Sequence, residues 1–125
     1  MTKILVVDDS VDAAELLAML FRTCGHETHI AFDGAQAVRQ AKKFVPHIIF
    51  LDLDMPVLDG FGAAKAIRAA PDTDDPFIVA LTAKAGSEVQ AATVAAGFDF
   101  YLQKPADTNA LLALVDDLGR RERVT

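Results

Sequence analysis

Apolar residues fall into two recurring kinds of segment along the chain. Short runs such as Ile4-Leu5-Val6-Val7 and Ile48-Ile49-Phe50-Leu51 are apolar at consecutive positions. A run that is apolar on both faces predicts a strand of a parallel sheet, covered by helices on both sides. Between these runs lie longer segments with apolar residues three and four apart, the spacing of one helix face. The pattern predicts strands over residues 3–7, 27–31, 48–51, 77–81 and 100–102. The second is the more polar and is expected at a sheet edge.

Five helices are predicted between and after these strands. The first starts at Ser10, a suitable N-cap, with Asp12 in its first turn, and runs to about Cys24 before Gly25 stops it. Ala13, Leu16, Leu17, Leu20 and Phe21 have core spacing there. The second covers about 35–43, with capping-box spacing from Asp33 to Gln36 and Ala37, Val38 and Ala41 inward. The third starts at Asp59-Gly60, turns Phe61, Ala64 and Ile67 to one side, and ends before an acidic loop over 71–76. The fourth lies between Ser87 and Gly97, with capping-box spacing from Ser87 to Gln90. The fifth is capped by Asp107, buries Leu111, Leu112, Val115 and Leu118, and has Arg120, Arg121 and Arg123 near its end. Strict alternation of strand and helix implies a parallel sheet with right-handed crossovers. The expected architecture is a flavodoxin-like, doubly wound (βα)5 domain over residues 1–125, strand order 2-1-3-4-5.

Composition narrows the class. The chain is 52% hydrophobic and carries a net charge of −6, which argues against nonspecific nucleic-acid binding. The single cysteine, Cys24, forms no internal disulfide and is expected as a small core residue. His26, His29 and His47 lack metal-ligand spacing. No apolar run approaches the ~20 residues of a membrane span, and the N-terminus lacks signal-peptide features, so a cytoplasmic location is expected.

The candidate chemistry lies at the predicted strand ends. Asp8 and Asp9 end the first strand, Asp52 the third, Thr82 the fourth and Lys104 the fifth. In open parallel sheets ligands gather at the carboxyl ends of strands. Carboxylates brought together there repel, and a hard divalent cation such as Mg²⁺ resolves the conflict. Carboxylates, a cation, a hydroxyl and a lysine suit phosphoryl transfer, with Asp52 as a nucleophile. Taken singly each residue has an ordinary reading: an aspartate after a strand caps a helix, Lys104 is a surface lysine and Tyr101 a packing residue.

Together the motifs carry a family resemblance. Val6-Val7-Asp8-Asp9, Leu51-Asp52-Leu53-Asp54-Met55-Pro56 with Asp59-Gly60, Leu81-Thr82-Ala83 and Lys104-Pro105 resemble, in the same order, the receiver domains of two-component response regulators. The resemblance implies that Asp52 accepts a phosphoryl group from a histidine kinase or a histidine phosphotransfer protein. It implies that Asp9, Asp52 and the backbone carbonyl of Asp54 bind Mg²⁺ directly, with Asp8 helping through water. Thr82 and Lys104 would hold the phosphoryl oxygens, Tyr101 matches the family's switch aromatic, and a cis Lys104–Pro105 peptide is expected. Asp54 and Lys84 stand at positions that vary in the family. The implied protein is a signalling domain rather than an enzyme with a separate substrate. It would act on a downstream protein as a monomer or weak phosphorylation-dependent dimer, without touching nucleic acid or membrane itself.

Two alternatives come from other classes. Asp52-Leu53-Asp54 resembles the Asp-x-Asp of haloacid-dehalogenase-type phosphatases, but that motif opens the chain on the first strand and here lies mid-chain. A flavodoxin-like flavin binder needs a phosphate cradle after strand 1, where Asp8-Asp9 would repel a phosphate.

Overall fold

The computed structural model describes residues 2–53, 59–83 and 86–121. Strand and helix alternate as β1 (Lys3–Val7), α1 (Val11–Thr23), β2 (Glu27–Ala31), α2 (Gly34–Phe44), β3 (Ile48–Asp52), α3 (Gly60–Ala69), β4 (Phe77–Thr82), α4 (Ser87–Ala96), β5 (Phe100–Gln103) and α5 (Thr108–Gly119). The acidic loop after α3 contains a short 3₁₀ turn, Pro71–Thr73. All strand pairs are parallel, in the order β2-β1-β3-β4-β5. This is the doubly wound flavodoxin-like arrangement read from the pattern, with the polar β2 at one edge.

Alternation along the strands divides the core in two. Leu5, Val7, Ile49, Leu51, Ile78 and Ala80 point to one face of the sheet, against alanines of α2 and α3. Ile4, Val6, Ile48, Phe50, Val79 and Leu81 point to the other, against α1 and α5. A period of two sends successive side chains to opposite faces, so consecutive apolar residues are needed where both faces are covered.

Three expectations are corrected. The buried stripe of α1 is Ala14, Ala18 and Phe21, whereas Ala13 is exposed and Leu16 is 68% exposed. The two small alanines let the helix lie close to the sheet, and Phe21 stacks on Phe50 with ring centroids 5.0 Å apart. Leu17 and Leu20 are half-buried and pack against the core on that face, and together with Leu16 they line an open apolar groove between α1 and α5, with Asp8 and Lys104 at one end. Cys24 is exposed rather than buried, because it caps the helix just before the left-handed Gly25 turn. The Ser87–Gln90 capping box does not form, since the N-cap of α4 is Gly86 and makes no side-chain cap bond. By contrast Asp33 caps α2 through the Gln36 N–H at 2.7 Å, and Gln36 reaches back to the Phe32 N–H at 2.9 Å. Arg123 lies outside the described residues.

Among the described residues three non-glycines have positive φ, Val45, Asp74 and Asp75, and the β-branched Val45 is the most strained. Val45 ends α2 in the left-handed region, at φ 51 and ψ 63. That conformation costs an L-residue about 1–2 kcal/mol and is least tolerable for a β-branched side chain. Asparagine is at ease there. Val45→Asn is therefore expected to stabilise the domain by about 1 kcal/mol and raise its melting temperature by roughly 4 °C in calorimetry. An unchanged or lower melting temperature would show that the half-buried valine contacts outweigh the backbone strain.

Candidate functional site

Parallel register brings the candidate side chains level with one another. Val7 pairs with Leu51, so Asp8 and Asp52 follow on adjacent strands. Asp52 pairs with Leu81, one residue before Thr82, and Thr82 pairs with Gln103, one residue before Lys104. The Lys104 N–H donates to the Thr82 carbonyl at 2.7 Å, which ties the ends of β4 and β5 together. The Lys104–Pro105 peptide is cis.

Asp8 is 7% and Asp52 5% exposed, while Asp9 is open to solvent. Burying a carboxylate is costly unless it is paired and hydrogen-bonded. Here Lys104 Nζ lies 3.1 Å from Asp8 Oδ2 and 3.6 Å from Asp52 Oδ1. The other oxygen of Asp8 accepts the Ser10 N–H at 3.0 Å, so the residue that caps α1 also orients Asp8. Burial acts to lower the Lys104 pKa, but the hydrogen bond to Asp8 and the charge of Asp52 more than offset it and raise the pKa above its usual value of 10.5. A raised lysine pKa adds stability that persists below the unfolded pKa and is lost only as pH rises through the folded one. Lys104 therefore stays an ammonium throughout the neutral range.

One oxygen from each of Asp8, Asp9 and Asp52 can be chosen so that all three lie within 4.8 Å of one another. A cluster of hard carboxylate oxygens, partly buried and open on the Asp9 side, fits Mg²⁺, which takes few protein ligands and keeps several waters. Asp54 and Lys84 lie outside the described residues. Thr82 is fully buried at the end of β4. Tyr101 is half-buried and packs, with Val89, against the core cluster on the α2–α3–α4 face. The histidines stay apart from the site: His26 accepts the Thr2 N–H, and His47 bonds the Leu118 carbonyl.

In the sequence Gly60 reads as a helix start and as part of the family motif. In the structure a Cβ on Gly60 would sit 2.4 Å from the Asp52 carbonyl oxygen and 2.7 Å from Leu53 Cα. The Asp59-Gly60 pair was the available signal, but which backbone presses on it is a tertiary fact. Asp59 caps α3 through the Gly62 N–H at 2.7 Å, and the Gly60 N–H returns to the Leu53 carbonyl at 3.2 Å. Gly60→Ala should thus displace the backbone that carries Asp52. The expected results are a loss of about 1–3 kcal/mol in denaturant unfolding and weaker Mg²⁺ binding by titration. Wild-type stability with wild-type Mg²⁺ affinity would contradict this close approach.

Comparison with known proteins gives a consistent result. The family model described as the response regulator receiver domain matches residues 4–116. The transcriptional regulatory protein PrrA of Mycobacterium tuberculosis is 42% identical over 123 residues, covering 98% of this chain and 52% of PrrA. The DNA-binding response regulator MtrA of the same organism is 35% identical over 119 residues, covering 95% of this chain and 51% of MtrA. The chain thus spans about half the length of these curated relatives. Among solved structures, Vibrio cholerae chemotaxis protein CheY4 superimposes with a TM-score of 0.88 at 30% identity, covering 94% of this chain and 98% of that one. The receiver domain of the Pseudomonas aeruginosa sensor histidine kinase PA1611 gives a TM-score of 0.85 at 32% identity, over 94% of this chain and 98% of that one. That structure has a magnesium ion coordinated in its active-site cleft.

Proposed function

The chain belongs to the response regulator receiver domain family, and on that premise we propose that Asp52 is its phosphoacceptor. The observation that carries the reading is the clustering of the Asp8, Asp9 and Asp52 oxygens within 4.8 Å, with the Lys104 ammonium 3.6 Å from Asp52. An Asp52 carboxylate oxygen forms the new P–O bond to the donor's phosphorus. The P–N bond of the donor phosphohistidine breaks, and its electron pair returns to the imidazole nitrogen. Mg²⁺, when bound, supplies positive charge beside the phosphoryl oxygens. Asp9 and Asp52 would hold the ion, with the Asp54 carbonyl that the family resemblance adds to the set, and Asp8 would act through a water. Lys104 moves from its carboxylate partners to the phosphoryl group, and Thr82 hydrogen-bonds another oxygen of it.

The donor is a histidine kinase or a histidine phosphotransfer protein. It approaches along the leucine-lined groove beside α1, at whose end Asp8 and Lys104 lie. The domain promotes only its own phosphorylation and dephosphorylation. The haloacid-dehalogenase alternative finds no support, since the family match runs from residue 4 to 116 with the nucleophile in the third strand.

The readout proceeds through α4. Thr82 moves towards the phosphoryl group, Tyr101 turns into the space released, and α4 shifts. The face formed by α4, β5 and α5 then engages a downstream protein or a second copy of the chain. Driving a population from mostly one state to mostly the other takes about 5.5 kcal/mol. Charge-assisted bonds from Thr82 and Lys104, at roughly 1.5–3 kcal/mol each, supply much of it. PrrA is described as a transcriptional regulator and MtrA as DNA-binding. With a net charge of −6 these residues are not themselves the nucleic-acid contact. No described helix is long and apolar enough to cross a membrane, and the proposed location is the cytoplasm.

Incubation with acetyl phosphate and Mg²⁺ should add one base-labile phosphate to the wild-type chain and none to Asp52→Asn. Full labelling of Asp52→Asn by mass spectrometry would overturn the assignment. In Mg²⁺ titrations Asp9→Ala should weaken binding more than Asp8→Ala, since Asp9 contacts the ion and Asp8 acts through water. Equal affinity of Asp9→Ala and wild type would remove Asp9 from the ligand set.

A further inference from the structure

The two ends of α4 are held very differently. At the N-terminal end Gly86 is the N-cap, at φ 130 and ψ 163, with no side-chain cap bond. Ser87, Glu88, Gln90, Ala91 and Ala92 are all exposed, and Val89 is half-buried. The buried residues of the helix are Thr93 and Ala96, both in its C-terminal half. Alanines that bury little area contribute little to holding a helix in place.

The C-terminal end is clamped by a side chain from another helix. Arg68, in the last turn of α3, donates from Nε to the Gly97 carbonyl at 2.9 Å. The same guanidinium donates to the Pro76 carbonyl at 2.6 Å, to Asp75 Oδ1 at 2.8 Å and to Asp99 Oδ2 at 2.7 Å. That Asp99 oxygen also accepts the Ile78 N–H at 2.9 Å, and the Asp99 N–H donates to the Ile78 carbonyl at 2.8 Å. A rigid planar fork with several donors is suited to joining many acceptors at once. Its positive charge also lies at the negative end of the α4 dipole. The contact is close: a Cβ on Gly97 would meet Arg68 Cγ at 2.9 Å. Gly97 sits in the left-handed region at φ 96, and beyond it Phe98 is 7% exposed and edge-on to Phe61.

We propose that Arg68 pins the C-terminal end of α4 to the ends of α3, β4 and β5, so that α4 switches by pivoting about Gly97 rather than by sliding as a whole. The surface that changes with the state of Asp52 is then residues 87–92, while Val94, 74% exposed on the pinned half, presents the same surface in both states. The inference rests on the phosphoacceptor reading for its trigger, but the pin itself is a property of the unphosphorylated chain.

Amide hydrogen exchange, read residue by residue with Mg²⁺ and with or without beryllofluoride, tests both parts. In the untreated chain the amides of residues 91 and 92 should exchange at least about tenfold faster than those of 96–98. Beryllofluoride should alter exchange over 90–93 and leave 96–98 within about twofold. Arg68→Ala should raise exchange at 96–98 by about tenfold or more and make those amides respond to beryllofluoride, while phosphate incorporation at Asp52 stays near wild type. If Arg68→Ala does not fold, Asp75→Asn loosens the same fork at a partly exposed partner, and the wild-type gradient decides in any case. Equal protection along α4, an equal response of 90–93 and 96–98, or unchanged exchange at 96–98 in the variant would overturn the pivot. Failure of beryllofluoride to bind would instead count against the phosphoacceptor reading, leaving the pin to be judged on the untreated chain and the variants.

Discussion

Two carboxylates, Asp8 and Asp52, are almost completely removed from solvent, and the ammonium of Lys104 stands between them. Removing either charge from water costs several kcal/mol, so a parallel sheet ending in aspartates folds readily only if a cation is supplied at the same edge. Much else follows from meeting that requirement. β5 must lie beside β4 in the register that sets Lys104 against Thr82, and the Lys104 N–H bond to the Thr82 carbonyl holds that register. The helix after β1 must begin at once, because the Ser10 amide satisfies the second oxygen of Asp8. Residue 60 must be a glycine, because it lies against the Asp52 backbone. The same electrostatic demand makes the site receptive: a dication or a phosphoryl group entering it offers Lys104 or the carboxylates a new partner without exposing a bare charge.

A second cation organises the opposite edge of the sheet. Arg68 gathers Asp75, Pro76, Gly97 and Asp99 where β4 and β5 begin. The two differ in chemistry as well as place. Lys104 is a single ammonium on a flexible stem and can exchange partners, whereas the guanidinium fork of Arg68 is planar and engaged on several sides. β4 and β5 therefore run from a braced edge to an adjustable one. α4, packed beside them and rich in alanine, inherits that gradient along its length.

Packing on the two faces of the sheet serves different ends. On the α2–α3 face the helices approach through small residues, Ala37, Ala41, Ala63 and Ala64, and the contact is close. On the other face Phe21, Phe50 and the leucines of α5 fill the space beside the sheet, and Ala14 and Ala18 bring α1 down onto it. That close approach leaves Leu16 and its neighbours in an open groove leading towards Lys104. The groove is a consequence of how α1 is seated, and its apolar walls run up to Asp8 and Lys104.

Much of this was already determined by the sequence. Runs of consecutive apolar residues can be buried only on both faces, so the strands, their parallel pairing and the alternation with helices follow from the period of the pattern alone. The strand ends followed as well, and with them Asp8, Asp9, Asp52, Thr82 and Lys104, because a parallel sheet collects its carboxyl ends on one edge. What the tertiary structure decided were matters of distance and rotation. Helical spacing marked α1 as amphipathic but did not distinguish the stripe of Ala14, Ala18 and Phe21 from the larger leucines beside it, because close approach to a sheet rewards small residues over hydrophobic ones. The exposure of Cys24, the Gly60 contact with Asp52 and the reach of Arg68 across to Gly97 all depend on which distant backbone lies within a few ångströms. Local periodicity carries no information about that; it is settled only when the elements pack together.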